Sequence, residues 1–323
     1  MSKSYSTIKR CAAALLATLM LSSAAAQVPL SGDATPGWYR MRLGAFEITA
    51  LTDGTLELPA DKVFMNIAPD RVRALLANAY LTKDVQVTVN AFLVNTGKKL
   101  VLIDAGTGKS QIFGAKLGKL VTNLRASGYS PEQVEEIYVT HMHTDHIGGL
   151  TAGDGKRNFP NAIVRANSRE ADFYLSQAKL DAASADEKED LASAIATFKP
   201  YVAAKRFETF DGETQLTPGI RAIPALGHTP GHTIYAVESQ GERLVIWGDL
   251  LHVAAIQFPQ PSATVRFDWN TNESPRVRSK HFLDAASKGY YVAAAHVAFP
   301  GIGKLRAAAN GYAWVPIAYM FGN

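Results

Sequence analysis

The sequence predicts an α/β protein in which sheets are covered by helices. Two observations carry that expectation. Strand-like and helix-like segments alternate along the whole chain, which excludes a helical bundle or an all-β sandwich. The chain has 323 residues, 47% of them hydrophobic, enough for the core of one large domain or two small ones, and this composition excludes disorder. No short-period repeat is visible.

In chain order, Phe46 to Leu51 reads as a strand broken by Asp53-Gly54, and Pro69 to Tyr80 has the proline start and apolar spacing of a helix. Val87–Asn95 and Lys99–Asp104 alternate as paired strands around Thr96-Gly97-Lys98. Gly114 to Ser127 has a helical period, and Pro131 opens a short helix leading into the strand Ile137–Val139. Ala162–Ala166 follows as a strand, then a helical stretch at 168–204, a strand at Gly219–Ala225 and a hairpin at 233–238 and 243–248. A helix at 275–288 and the strand Tyr290–Ala294 complete the series. The stretch 168–204 breaks the rhythm, with Asn167 and Glu170 spaced as a capping pair, and reads as a helical insertion or lid.

Residues 1–26 have the layout of a secretory signal: Lys3, Lys9 and Arg10, an apolar run from Cys11 to Leu21, and Ala24-Ala25-Ala26 before Gln27. The apolar run is too short to span a membrane. Cleavage at Ala26/Gln27 is expected to deliver the protein to the periplasm or medium, with 27–37 as an exposed leader and 38–323 as a single domain. Cys11 is the only cysteine, so the mature chain has no thiolate for a metal, a disulfide or nucleophilic catalysis. The chain has 33 Lys+Arg against 29 Asp+Glu, and three of those bases lie in the signal, so the mature charge is near neutral. That removes the electrostatic case for nucleic-acid binding. A homodimer is compatible with everything above.

Five of the eight histidines fall in two clusters. His141-Met142-His143-Thr144-Asp145-His146 follows an apolar strand and is closed by Gly148-Gly149. In extended chain His141 and His143 share a face, and a turn into a helix start lets Asp145 and His146 converge on a neighbouring point. One motif can thus supply two ligands to each of two adjacent metals. Downstream stand His228 and His232 in Gly227-His228-Thr229-Pro230-Gly231-His232, then Asp249, then His296, each where an apolar strand gives way to a loop. Spacing alone does not choose between His228 and His232.

This residue set resembles the metallo-β-lactamase superfamily over nearly the whole mature chain. Trp38–Met41 with Phe46–Leu51, Phe92–Gly97, Gly231-His232-Thr233 and Phe299–Gly303 are similar to the methyl parathion hydrolase branch and its lactonase relatives of the dihydrocoumarin hydrolase kind. The resemblance implies an αββα sandwich of two mixed sheets flanked by helices. It assigns His141, His143 and His228 to one divalent metal and Asp145, His146 and His296 to a second, with Asp249 bridging and His232 in support. Zinc is the expected ion, with manganese, cobalt and iron as alternatives. Asp145 and Asp249 are then the acidic residues of the catalytic centre. A hydroxide shared by the two ions would attack a carbonyl or phosphoryl centre without a protein nucleophile. Asp104 is either an acceptor for a ligand histidine or a turn carboxylate.

Candidate pocket residues are Phe113, Tyr174, Leu191, His252, Phe258, Phe267 and Trp269. His281, among Arg276, Arg278, Lys280 and Asp284, reads as solvated. Gly106-Thr107-Gly108-Lys109-Ser110 is set aside as a phosphate loop, because Ile103 stands where glycine is required, and no Gly-x-Ser-x-Gly elbow supports a serine hydrolase. The expected activity is that of a lactonase or aryl esterase on a small-molecule aryl lactone or ester, with promiscuous organophosphate hydrolysis. The alternatives are a phosphotriesterase and a non-catalytic metal-binding member. Export and charge speak against ribonuclease and glutathione thioesterase activities.

Overall fold

In sheets buried on both faces, alternate side chains of one strand must enter different cores. The computed structural model, which describes residues 35–109 and 114–319, shows this directly. Leu93 of the run Phe92-Leu93-Val94 belongs to an outer core cluster, whereas Phe92 and Val94 face the inner one. The signal segment, most of the leader and Phe113 lie outside the described residues.

The first sheet contains β1 (Trp38–Leu43), β2 (Phe46–Pro59), β3 (Asp84–Asn95), β4 (Leu100–Ile103), β5 (Glu136–Tyr138), β6 (Ile163–Asn167) and β7 (Phe207–Phe210) in that spatial order. β1 to β4 pair antiparallel and β4 to β7 pair parallel. The second sheet runs from β8 (Thr214–Thr217) through β9 (Ile220–Pro224), β10 (Thr233–Ser239), β11 (Glu242–Ile246), β12 (Tyr291–Ala293) and β13 (Ile302–Ala307) to β14 (Tyr312–Pro316). Only its β11–β12 pairing is parallel. The helices are α1 (Ala60–Val63), α2 (Pro69–Asn78), α3 (Leu120–Ala126), α4 (Thr144–Ile147), α5 (Ser168–Tyr174), α6 (Gln177–Ala182), α7 (Ala185–Ala203), α8 (Ala254–Gln257) and α9 (Glu273–Lys288). The inner core joins Met41, Ile48, Phe92 and Ile103 of the first sheet to Tyr235, Leu244, Ile246 and Ile302 of the second. The outer face of the first sheet packs against α3 and α7, and that of the second against α9, which completes an αββα sandwich. No helix among the described residues is long and apolar enough to cross a membrane.

Several expectations change. β2 does not break at Asp53-Gly54 but continues through a register shift, because the fully buried Asp53 carboxylate accepts hydrogen bonds from Thr107 N and Oγ1, Gly118 N and Leu120 N. The 168–204 stretch is three helices, with Leu191, Ala194, Phe198 and Tyr201 of α7 inside the outer core of the first sheet. β1, β7, β8, β13 and β14 were not anticipated, being short or polar. His281 is buried, not solvated: it lies on the inward stripe Ser274, Val277, Arg278, His281, Phe282 and Ala285 of α9. The charged neighbours hid a stripe of helical period, and burial lowers the His281 pKa to about 4.

Candidate metal centre

The site is assembled at the ends of four strands. Loops following β5, β9, β11 and β12 bring His141, His143, Asp145 and His146, then His228, then Asp249 and His252, then His296 to one point between the sheets. One ligand atom from each of His141, His143, His228 and Asp249 lies within 4.8 Å of the others, and the same holds for Asp145, His146 and His296. Asp249 touches both groups: Oδ1 is 3.2 Å from His146 Nε2, and Oδ2 is 3.2 Å from His296 Nε2 and 3.4 Å from His228 Nε2.

Hydrogen bonds on the outer edges of the rings decide which nitrogens face inward. His146 Nδ1–H donates to Asp104 Oδ2 at 2.8 Å, His228 Nδ1–H to Asp268 Oδ1 at 3.1 Å, and His296 Nδ1–H to the Thr88 carbonyl at 2.8 Å. His141 Nδ1–H donates to Thr140 Oγ1 at 3.1 Å, and that hydroxyl in turn donates to Asp104 Oδ2 at 2.8 Å. With the protons held outside, the Nε2 lone pairs of these four rings converge. His143 presents Nδ1 to them, 3.1 Å from both His141 Nε2 and His228 Nε2. Lone pairs at such distances repel one another, and His146 Nε2 and Asp249 Oδ1 are buried without any hydrogen-bond partner. A donor set of imidazole nitrogens and carboxylates with this arrangement fits divalent cations, and the outer acceptors are those that orient ligand histidines.

Buried charge has the same pattern. Burial works against ionised Asp249, but His296, His146 and His141 outweigh it and hold its pKa well below the usual carboxylate range. Burial also opposes protonation of His146, yet Asp249, Asp145 and Asp104 raise its pKa well above normal. Burial pushes His228 down to about 3.

Asp104 takes the acceptor role, not that of a plain turn residue. Its carboxylate accepts from Thr140 N as well, and its φ of 62° places a non-glycine residue in the left-handed region. His232 is buried behind the ligands: Nδ1–H donates to the Ala225 carbonyl at 3.0 Å, and Nε2 accepts the Asp249 backbone N–H at 3.1 Å. Geometry thus separates His228, whose Nε2 faces the cluster, from His232, whose ring ties two loops together.

Of the candidate pocket residues, three face the centre. The Tyr174 ring stands edge-on to His143 at 5.9 Å between centroids, and Phe267 packs 4.8 Å from His252. The ring of His252 stacks on His296, and its Nε2 lies 3.2 Å from Asp249 Oδ2 at an angle that makes no hydrogen bond, while its Nδ1 has no partner among the described residues. Two others lie in cores and one at the surface. Phe258 stacks on Trp314 in the core behind the second sheet, Leu191 is buried in the outer core of the first, and Trp269 is 58% exposed. Each was chosen for its apolar character, which a core or a surface groove satisfies as well as a pocket wall. Trp269 lines a surface groove of about 480 Å³ with Phe173, Leu226 and Pro230.

Two acids were missed. Asp268, which orients His228, sits between the two aromatics Phe267 and Trp269 that drew notice instead; no spacing signal marks it. Glu170 was read as a helix cap partner. Asn167 does cap α5, accepting from Arg169 N at 3.0 Å, but the Glu170 carboxylate turns inward. Asp268 is itself backed by Arg278, a fully buried guanidinium 3.8 Å away that donates to the carbonyls of Leu250, Pro261 and Ala263.

The profile of the metallo-beta-lactamase superfamily matches residues 85–277, and the chain belongs to that superfamily. Among solved structures, the fold is similar to a hydrolase of the beta lactamase superfamily, AbOPH, with 36% identity and a TM-score of 0.84 over 90% of this chain and 100% of that one. It is also similar to AidC, a dizinc quorum-quenching lactonase in complex with a product, N-hexanoyl-L-homoserine, with 26% identity and a TM-score of 0.81 over 90% and 100% of the two chains. An N-acyl homoserine lactonase from Bacillus cereus is 24% identical over 172 residues, 48% of this chain. The chain spans about 60% of the length of that curated relative. Lactonases of acyl homoserines are thus among the relatives found.

Proposed function

We propose that the protein is a hydrolase working with two divalent metal ions, zinc first among them, that opens lactones, with aryl lactones and aryl esters as its substrate class and organophosphate triesters as a side reaction. The observation that carries this reading is the set of inward-facing lone pairs on His141, His143, His146, His228 and His296 around Asp249. Likeness to a dizinc lactonase supports the ion and a lactone as substrate.

His141, His143 and His228 would hold one ion, Asp145, His146 and His296 the other, and Asp249 both. When bound, such ions polarise a carbonyl or phosphoryl oxygen and acidify water. The residues of the chain do the rest. Asp104, Asp268 and the Thr88 carbonyl hold the Nδ1 protons on the outer edges, so that each neutral ring turns Nε2 inward. Tyr174 beside His143 and Phe267 beside His252 would offer aromatic surface to a planar aryl group. His252, whose Nδ1 has no partner, donates a hydrogen bond to the departing oxygen of an ester or lactone. The signal-like start supports export, with cleavage near Ala26/Gln27.

The test is a kinetic panel of aryl lactones, an N-acyl homoserine lactone, aryl esters and methyl parathion on the zinc-loaded protein, repeated after chelation. Lactones turned over best, with activity lost on chelation and restored by zinc, is the expected result. Methyl parathion preferred over every lactone would replace the reading by phosphotriesterase, and full activity in metal-free protein would end it.

A further inference from the structure

Glu170 is 1% exposed, yet it carries a carboxylate with no lysine or arginine among its hydrogen-bond partners. Its Oε1 accepts the backbone N–H of Met142 at 2.8 Å. Its Oε2 accepts both the Thr229 hydroxyl at 2.8 Å and the Gly231 N–H at 2.7 Å. Met142 lies between His141 and His143, and Thr229 follows His228. One side chain from α5 therefore ties a loop of the first sheet to a loop of the second, and those two loops supply the three histidines assigned to one ion.

The geometry points to Glu170 as the positioning residue that sets the distance between the His141/His143 loop and the His228 loop, and so the fit of that one ion. The inference rests on the dinuclear reading above. Both oxygens are engaged as acceptors by three donors, a set that a carboxylate satisfies with no donor of its own to place. A glutamine must turn its NH₂ toward either Met142 N–H or Gly231 N–H, leaving two donors face to face in a buried place. The contact is close: a Cβ on Gly231 would lie 2.4 Å from the Glu170 nitrogen and 2.7 Å from its Cβ, so only glycine lets this loop reach α5. None of these contacts reaches Asp145, His146 or His296. The effect of removing the carboxylate should therefore fall mainly on one of the two ions, which a general loss of folding would not imitate.

Metal-free full-length protein is titrated with zinc against a chromophoric chelator, giving two affinities without any substrate. Glu170→Gln is expected to weaken one of them by about 10- to 100-fold and to leave the other within about twofold, the usual range for losing a partner that orients a ligand. In a His228→Ala background, where that ion is already compromised, Glu170→Gln should leave the remaining affinity unchanged. Glu136→Gln serves as the comparison. Glu136 is likewise a buried carboxylate, but it sits at the start of β5 on Lys99, Arg165 and Tyr138, and its loss should lower stability with both affinities intact. If Glu170→Gln does not fold, Thr229→Val removes a single donor and should weaken the same affinity by a smaller factor. Equal weakening of both affinities, or no change in either, overturns the inference while leaving the hydrolase reading in place. Wild-type protein that binds fewer than two zinc ions overturns both.

Discussion

Asp268 Oδ1 lies 3.1 Å from His228 Nδ1, and behind it Arg278 is buried with its guanidinium 3.8 Å from Asp268 Oδ2. A cation thus stabilises a carboxylate that holds a proton on the outer edge of a ligand ring. Asp268→Asn leaves the shape intact but removes the charge, and its NH₂ can turn to the ring and favour the wrong tautomer. We expect about a tenfold or greater loss of metal affinity with little change in fold. Unchanged zinc titration would show that His228 needs no such orientation.

Asp249 lies within 3.4 Å of ligand nitrogens from both groups. Asp249→Ala should lose at least one metal and nearly all turnover, measured by elemental analysis and initial rates. His281→Ala should keep two metals per chain and lose stability instead. Equal and mild effects of the two substitutions on metal content would mean that the centre lies elsewhere.

His252 carries the prediction about substrate choice. In the proposed reaction its ring would donate to a leaving oxygen, and it is also a polar group that must be desolvated against the apolar arms of a phosphotriester. His252→Leu should therefore lower kcat/KM for an aryl lactone and raise it for methyl parathion. The expected change in the ratio is about tenfold, or about 1.4 kcal/mol of differential transition-state binding, in protein shown to retain both metals. An unchanged ratio would remove His252 from the specificity argument.

His281 gives a pH dependence remote from the metals. Burial lowers its folded pKa to about 4, helped by Lys280 and Arg243 and opposed by Asp284, against a reference of 6.5. The fold holds the neutral ring. Above pH 6.5 neither state binds the proton; between 6.5 and about 4 the unfolded chain binds it and the native state does not, so stability falls as the pH falls through that window. Chemical denaturation of wild type and His281→Leu at pH 7.5 and pH 4.5 should show a smaller acid loss in the variant, by roughly 1–3 kcal/mol. Parallel losses would contradict it.

Export is tested on the native protein. N-terminal sequencing of material from the periplasm or medium should begin at or near Gln27, because the small residues Ala24 and Ala26 suit a signal peptidase. An intact Met1 on soluble, active protein would refute the expectation.

The sequence by itself marked the candidate ligand residues and the class of fold, but not the choice of His228 over His232. His141, His143, Asp145 and His146 are local in the chain, and the alternation of strands is set by side-chain period, so both are written in short stretches. It could also have revealed buried His281, since the 274–278–281–285 stripe is periodic; charge among its neighbours masked it. The tertiary structure alone decided which partners orient the ligands and which aromatics face the site. Asp268 is 40 residues from His228, and Glu170 is 28 from Met142 and 61 from Gly231. A buried carboxylate finds its donors through the packing of two sheets, and nothing in its own neighbourhood records them. Phe258 and Leu191 lie in cores and Trp269 at the surface for the same reason: apolarity drives a side chain out of water, but only the packed fold decides where it goes.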